Sequence, residues 1–419
     1  MNIRKLAFKI LNSKKYKIIK KTKKELIESI DRPAKKNKLK TDIFLDYITS
    51  NSTYYKKYRG QNINEIPVIT KKEIVDNYND IATVKEHELN NYMKVTTSGS
   101  YGTPLSFYVT KEKKLSQQAE VLFFGSFSNF DLGTKHLYIR VIEPSIKNKI
   151  IKNQYVLKPI DINKKWMRKS LNKIKKEKHK VIIAYPSIMN NLAIFALENN
   201  IKVNNIEGII TYGEKLEPQF SENIYEAFKC KPNSRYSTEE LGVLANTKKN
   251  SEDMILNQVN YLIEVLDDRN KPVKKGETGK VVVTDFSSHI VPLVRYDTGD
   301  LATLLTYKDG LAHTISNIEG RKIEMVYTTN GDSLMPFNIN IMMSKIQGIY
   351  QFQFIQESQN KYTLKLLPKD NFDKSILEEL ENKYKQLLGL DALIDIIFVD
   401  EIETLKSGKR PYIINHYKK

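Results

Sequence analysis

The chain has 419 residues, 40% hydrophobic and 28% charged, with 17 Gly and 13 Pro, a composition that excludes collagenous, mucin-like and wholly disordered proteins. No run approaches the roughly 18 apolar residues of a membrane span, and a lone cysteine, Cys230, excludes an intrachain disulfide or a cysteine-based zinc site and points to a cytoplasmic address. The formal net charge is +19, and Met1 to Lys40 hold 13 Lys and 2 Arg against Glu25, Glu28 and Asp31, a surplus of 12.

That leader opens the chain. Between its lysines, Ile3, Leu6, Ala7, Ile10 and Leu11 recur at helical spacing, and Lys9 breaks any signal-peptide core. Met1 to Lys24 therefore reads as a basic amphipathic helix able to lie on an anionic membrane. An AT-rich coding sequence, favouring Lys, Asn and Ile throughout, accounts for the same composition. Nucleic acid is not an expected partner, because the basic excess sits on this leader rather than on an aromatic-interleaved face.

A polar, largely helical stretch runs to Asn91, interrupted where Pro67 holds Ile66 extended and Thr70 is set to cap the next helix. From His136 onward strands and helices alternate. Strands are expected at His136–Ile142, Val181–Tyr185 and Ile206–Tyr212, and helices at Trp166–Lys180, Ser187–Glu198 and Glu217–Phe228. This is the pattern of βαβ units and parallel sheet. After Gly242 the short strands Tyr261–Leu266, Gly279–Thr284 and Leu301–Leu305 suggest an antiparallel sheet or distorted barrel. Beyond Arg321, strands at Tyr350–Gln356, Tyr362–Leu367 and Leu393–Val399 around a helix at Asp373–Leu388 predict a small α+β domain. The fold class expected is α/β: a large domain over 1–320, including the leader 1–40, and a small, mobile α+β lid over 321–419.

Three segments carry candidate chemistry. In Thr96 to Pro104, small hydroxyls and glycines let N–H and O–H groups close around phosphate oxygens, although the segment is not a Walker loop. In Arg295 to Leu301, Asp300 sits on a glycine turn where a carboxylate can accept both hydroxyls of a ribose. A single Asp-Thr-Gly excludes the paired carboxylates of an aspartic protease. In Leu405 to Arg410, Lys409 is a cation on a glycine-bearing loop. Each segment taken alone reads as an ordinary turn or a solvated tail. The six histidines are scattered and read as structural or solvated.

Taken in order, these segments resemble the adenylate-forming superfamily of acyl-CoA synthetases, in particular its phenylacetate–CoA ligase branch and the capsular-polysaccharide-biosynthesis relatives. The first loop is similar to TSGSTGTP with Tyr101 in place of Thr, and Ala184 to Ser187 is similar to GYPS. Tyr212-Gly213-Glu214 stands at the adenine-lining turn. Arg295 to Ala302 matches RYDTGDLA, Gly320-Arg321 the pair before the interdomain hinge, and Ser407-Gly408-Lys409 the motif of the catalytic lysine. Arg235 to Glu239 departs from the Tyr-Gly-x-Thr/Ser-Glu pattern, shifting its aromatic residue to Tyr236 or replacing it with Arg235. Ile323 replaces the usual hinge aspartate.

The resemblance implies an ATP-dependent ligase that activates a carboxylic acid as an acyl-adenylate and transfers it to CoA. It equally admits transfer to an amino sugar in surface-polysaccharide assembly, and a non-catalytic, membrane-docked scaffold on the same fold is a third reading. Catalytic roles fall to Lys409 and to Thr238 at the α-phosphate. Nucleotide binding falls to Thr97, Ser98, Gly99, Ser100, Gly102, Thr103, Gly213, Glu214, Tyr236, Asp300 and Arg321, and Mg²⁺ to Glu239.

Overall fold

The computed structural model describes residues 3–96, 106–140, 143–159, 164–248, 251–321, 326–334, 339, 342–343, 346–369, 372–402 and 411–417. The leader forms two helices rather than one, α1 (Ile3–Leu11) and α2 (Ser13–Ser29), because Asn12 leaves helical geometry at φ −131°. Its charge does not make it a free arm. Ile19, Leu26 and Ile30 are buried against a later helix, α6 (Lys111–Gly125), and Lys5 and Lys23 both bond Asp131.

Next come α3 (Ala34–Asn51), α4 (Lys71–Asp76) and α5 (Tyr78–Ile81). Thr70 caps α4 as its sequence predicts: its Oγ1 accepts the Glu73 N–H, while the Glu73 carboxylate accepts the Thr70 N–H at 2.7 Å. The extended Ile66–Ile69 segment lies beside Tyr296, with Ile69 N–H donating to the Arg295 carbonyl. A hairpin follows, β1 (Met93–Thr96) with β2 (Ser106–Val109), pairing Thr96 with Ser106.

The centre is one eleven-stranded sheet. Its parallel half contains β3 (His136–Ile139), β4 (Gln154–Leu157), β5 (Val181–Ala184), β6 (Gly208–Tyr212) and β7 (Pro232–Thr238). Their connecting helices are α7 (Ile146–Lys152), α8 (Lys164–Glu177), α9 (Pro186–Glu198) and α10 (Pro218–Phe228). β5 is buried at every residue, as parallel strands covered on both faces must be.

The antiparallel half is not a separate sheet. β7 pairs directly with β8 (Gly242–Thr247), and β9 (Met254–Leu256), β10 (Tyr261–Leu266), β11 (Thr278–Asp285), β12 (Tyr296–Lys308) and β13 (Leu311–Arg321) continue from it. β12 runs well beyond the predicted Leu301–Leu305 and bends through several register shifts.

After a short ladder, β14 (Val326–Tyr327) with β15 (Ser333–Leu334), comes the small domain. Its sheet consists of β16 (Ile349–Gln356), β17 (Lys361–Pro368), β18 (Leu393–Phe398) and β19 (Ile413–Asn415), in the order β18-β17-β16-β19. α11 (Leu377–Leu388) covers it with Leu380, Tyr384 and Leu388, which are fully buried. This domain has its own core around Phe354, Tyr362 and Leu364. It touches the large domain through Phe220 and Tyr412, whose rings lie 5.9 Å apart, and through an ion pair of Lys369 with Glu198.

Candidate active site

The carboxyl ends of the parallel strands lie side by side, and it is outside such ends that open α/β sheets hold ligands. After β5, Tyr185 precedes α9 and Pro186 takes the first helical position. After β6, Gly213 turns the chain at φ +80°, and the Glu214 carboxylate accepts the Ser187 N–H at 3.0 Å. An acidic group thus caps the positive end of α9.

After β7, Thr238 Oγ1 accepts the Leu241 N–H at 3.2 Å, and Glu239 stands exposed at the turn. The turn is fixed from behind. Lys113 donates to the Glu240 carbonyl at 2.9 Å and pairs with the buried Asp285 carboxylate. Gly242 follows at φ +127°, where a Cβ would meet Glu120 Oε2 at 2.6 Å, so only glycine fits.

Glu120 is sealed among the Val243 N–H, the Asn260 amide and the Tyr261 hydroxyl. Burial pushes its carboxyl up to about 7 despite these donors. Sequence reading missed this charged cluster, because on α6 the residues Lys113 and Glu120 look like a solvated face.

From the antiparallel half, β12 brings Asp300 beneath β7. The Tyr236 hydroxyl donates to Asp300 Oδ2 at 2.7 Å and approaches Thr298 Oγ1 at 3.2 Å. Burial, with the Asp300 charge second, raises the Tyr236 phenol well above its ordinary value, so it stays a donor. Asp300 and Arg321 are register partners across β12 and β13. The structure therefore brings together Tyr236, Asp300 and the Arg321 position from three strands, with Gly213, Glu214, Thr238 and Glu239 on the neighbouring strand ends.

Arg295 of the same motif is architectural. Its guanidinium forks onto Glu264 at 3.0 and 3.1 Å and donates to the carbonyls of Asn64 and Ile66. His289 packs edge-on against Phe44 and Tyr47. Thr97, Ser98, Gly99, Ser100, Gly102, Thr103 and Lys409 lie outside the described residues, as does the side chain of Arg321. The β1–β2 hairpin does bring the two ends of the first loop together.

Among the described residues no cluster of three or more His, Cys, Asp or Glu side chains could hold a metal. A single exposed carboxylate at Glu239 suits Mg²⁺, which is commonly held by one or two carboxylates together with substrate phosphates and water.

This architecture, a sheet-rich large domain with a small α/β domain on its carboxyl side, is the fold of the adenylate-forming CoA ligases. The structure resembles 2-hydroxyisobutyryl-CoA ligase in the postadenylation state in complex with R3-HIB-AMP, with a TM-score of 0.71 and 15% identity over 92% of this chain and 90% of that one. Against an open conformation of the same ligase, bound to 2-HIB-AMP and CoA, the TM-score is 0.57 at 16% identity, over 90% of this chain and 91% of that one. In sequence, the chain is 23% identical over 403 residues to Protein CapK of Staphylococcus aureus, spanning 90% of this chain and 87% of that protein. Residues 326–416 match the CapK C-terminal domain.

Proposed function

We propose that this protein is an ATP-dependent ligase that activates a carboxylic acid as an acyl-adenylate and then passes the acyl group to CoA. The observation that carries this reading is the Asp300 carboxylate, held by Tyr236 of the last parallel strand and opposite Arg321 in register. That placement suits a ribose bound through its hydroxyls, with the nucleotide running toward Thr238 and Glu239.

In the first half-reaction, the acid's carboxylate oxygen attacks the α-phosphorus and pyrophosphate leaves. Negative charge develops on phosphate oxygens, so cations and N–H or O–H donors do most of the work. Lys409 supplies the cation, Thr238 a donor at the α-phosphate, and the Thr97–Thr103 loop binds the departing phosphates. Mg²⁺ at Glu239 would neutralise phosphate charge. The small domain, bounded at 320/321, then moves so that the CoA thiol, losing its proton to solvent, can attack the acyl carbonyl and displace AMP.

A second acceptor, an amino sugar in surface-polysaccharide assembly, is proposed beside CoA on the motif resemblance of the sequence alone. A peripheral membrane site is part of the proposal, because Ile10 and Leu11 stay exposed beside the lysines of the leader. Pyrophosphate release should be measured with ATP, Mg²⁺ and a panel of carboxylic acids, followed by acyl transfer to CoA or to amino sugars. No release with any acid would overturn the ligase reading and leave a scaffold.

A further inference from the structure

Among the described residues, Arg235 is a buried charge without an ionic partner. It is 8% exposed, its Nε is buried without an acceptor, and among the described residues its guanidinium meets no carboxylate and no carbonyl. Its guanidinium lies over an aromatic face, the ring of Tyr212 at 5.6 Å. Arginine cannot shed its proton in a protein, so burial leaves a full positive charge whose Nε–H is buried without an acceptor among the described residues. Buried polar groups otherwise find partners, and every other buried charge described above does.

Its position suggests what the missing partner is. Arg235, in the middle of β7, pairs with Tyr212 at the carboxyl end of the parallel strand β6. It precedes Tyr236, whose hydroxyl holds Asp300, and lies three residues before Thr238. Tyr212 packs edge-on to Tyr138 at 5.4 Å, and the half-buried Arg140 lies over Tyr138 at 4.9 Å, likewise without a carboxylate partner among the described residues. Two guanidiniums without a carboxylate partner among the described residues thus flank one tyrosine pair.

We propose that Arg235 is a ligand-recognition residue that receives an oxyanion of the bound ligand through its free N–H edge, while Tyr212 holds its face. This deepens the ligase reading and rests on it. Guanidinium recognises planar carboxylate or phosphate oxygens as a fork, and that shared chemistry has two sources here. One is a phosphate of the nucleotide; the other is a second carboxylate on the acid being activated, which would make the substrate a dicarboxylic acid.

The test compares wild type with Arg235→Gln and Arg235→Lys by calorimetric titration of AMP and adenosine, and by the KM for succinate against butyrate in pyrophosphate release. Arg235→Gln should lose about 10- to 100-fold in affinity for one anionic ligand, with Arg235→Lys recovering part of it. Weaker AMP with unchanged adenosine assigns the phosphate. Unchanged AMP with a raised KM for succinate but not for butyrate assigns the second carboxylate. Because a buried, unpaired charge is removed, the melting temperature of Arg235→Gln should hold or rise.

Equal losses for AMP and adenosine would mean that Arg235 stacks on the base, and would overturn the proposal. So would unchanged binding of every probe, or a lowered melting temperature with affinities intact. Wild type that binds AMP as described but activates no acid would refute the ligase reading while leaving the phosphate assignment standing.

Discussion

The Tyr236 hydroxyl donates to the Asp300 carboxylate at 2.7 Å, joining the last parallel strand to the long bent strand of the antiparallel half. Asp300→Ala should weaken ATP binding at least about tenfold, since a charged acceptor for buried hydroxyls disappears. Tyr236→Phe should leave the ribose acceptor in place but cost about 1–3 kcal/mol of stability, because a buried carboxylate loses one donor. Calorimetry and thermal melting separate the two effects, and unaltered ATP affinity in Asp300→Ala would reduce that residue to part of a turn.

Lys409→Ala should abolish adenylate formation while ATP still binds, because the charge is needed where the transition state gathers negative charge. At about 4 Å and an effective dielectric of about 20, one charge pair is worth about 4 kcal/mol, close to a thousandfold in rate. Pyrophosphate release at the wild-type rate would remove Lys409 from the mechanism.

Lys113 is placed to position the turn that carries Thr238 and Glu239, through the Glu240 carbonyl at 2.9 Å. Lys113→Met strands the Asp285 charge in the core, which costs about 3–5 kcal/mol. The variant should melt earlier, and at temperatures where it remains folded its kcat should drop more than its ATP affinity. A stable variant with normal kcat would mean that the turn holds its shape without this lysine.

Glu120 gives stability a pH dependence of unusual sign. Its folded pKa, about 7, lies above the ordinary 4.5, so between these values the folded chain keeps a proton that the unfolded chain has lost. Its contribution is therefore full below pH 4.5 and is lost as pH rises through 7, an effect on the order of a few kcal/mol. His136 and His179 act oppositely: burial lowers both to about 4, so their stabilisation is present above 6.5 and lost on acidification. Urea unfolding of wild type and Glu120→Gln at pH 5 and 7.5 isolates the carboxyl. The variant should gain relative to wild type at the higher pH, and an equal difference at both would contradict the assignment.

The leader can be tested without deleting it, since α2 buries Ile19 and Leu26 in the main fold. Exposed Ile10 and Leu11 offer a milder change, and their double substitution to Ser should leave melting unchanged. If the leader binds anionic membranes, wild type should sediment with phosphatidylserine vesicles at low salt and release at high salt, while the double variant binds more weakly. Identical sedimentation of the two proteins would end the membrane reading.

Local signals carried a large share of this fold. Alternation of apolar strands with amphipathic helices announced the parallel half, and the Thr70–Glu73 capping box announced α4, because both depend on neighbours within a few residues. Motif order pointed to the adenylate-forming fold for the same reason, since each motif is a short turn. Three things needed the tertiary structure. The antiparallel strands proved continuous with the parallel sheet, because the β7–β8 pairing runs through a turn fixed by Lys113 and Glu120 from a distant helix. The leader, legible as a basic amphipath, proved partly core, because α6 offers it an apolar face. The isolation of Arg235 could not be seen at all from the chain. A charge's partners are decided by which strands lie side by side, and only the folded sheet sets Arg235 against Tyr212, with no ion pair to it among the described residues.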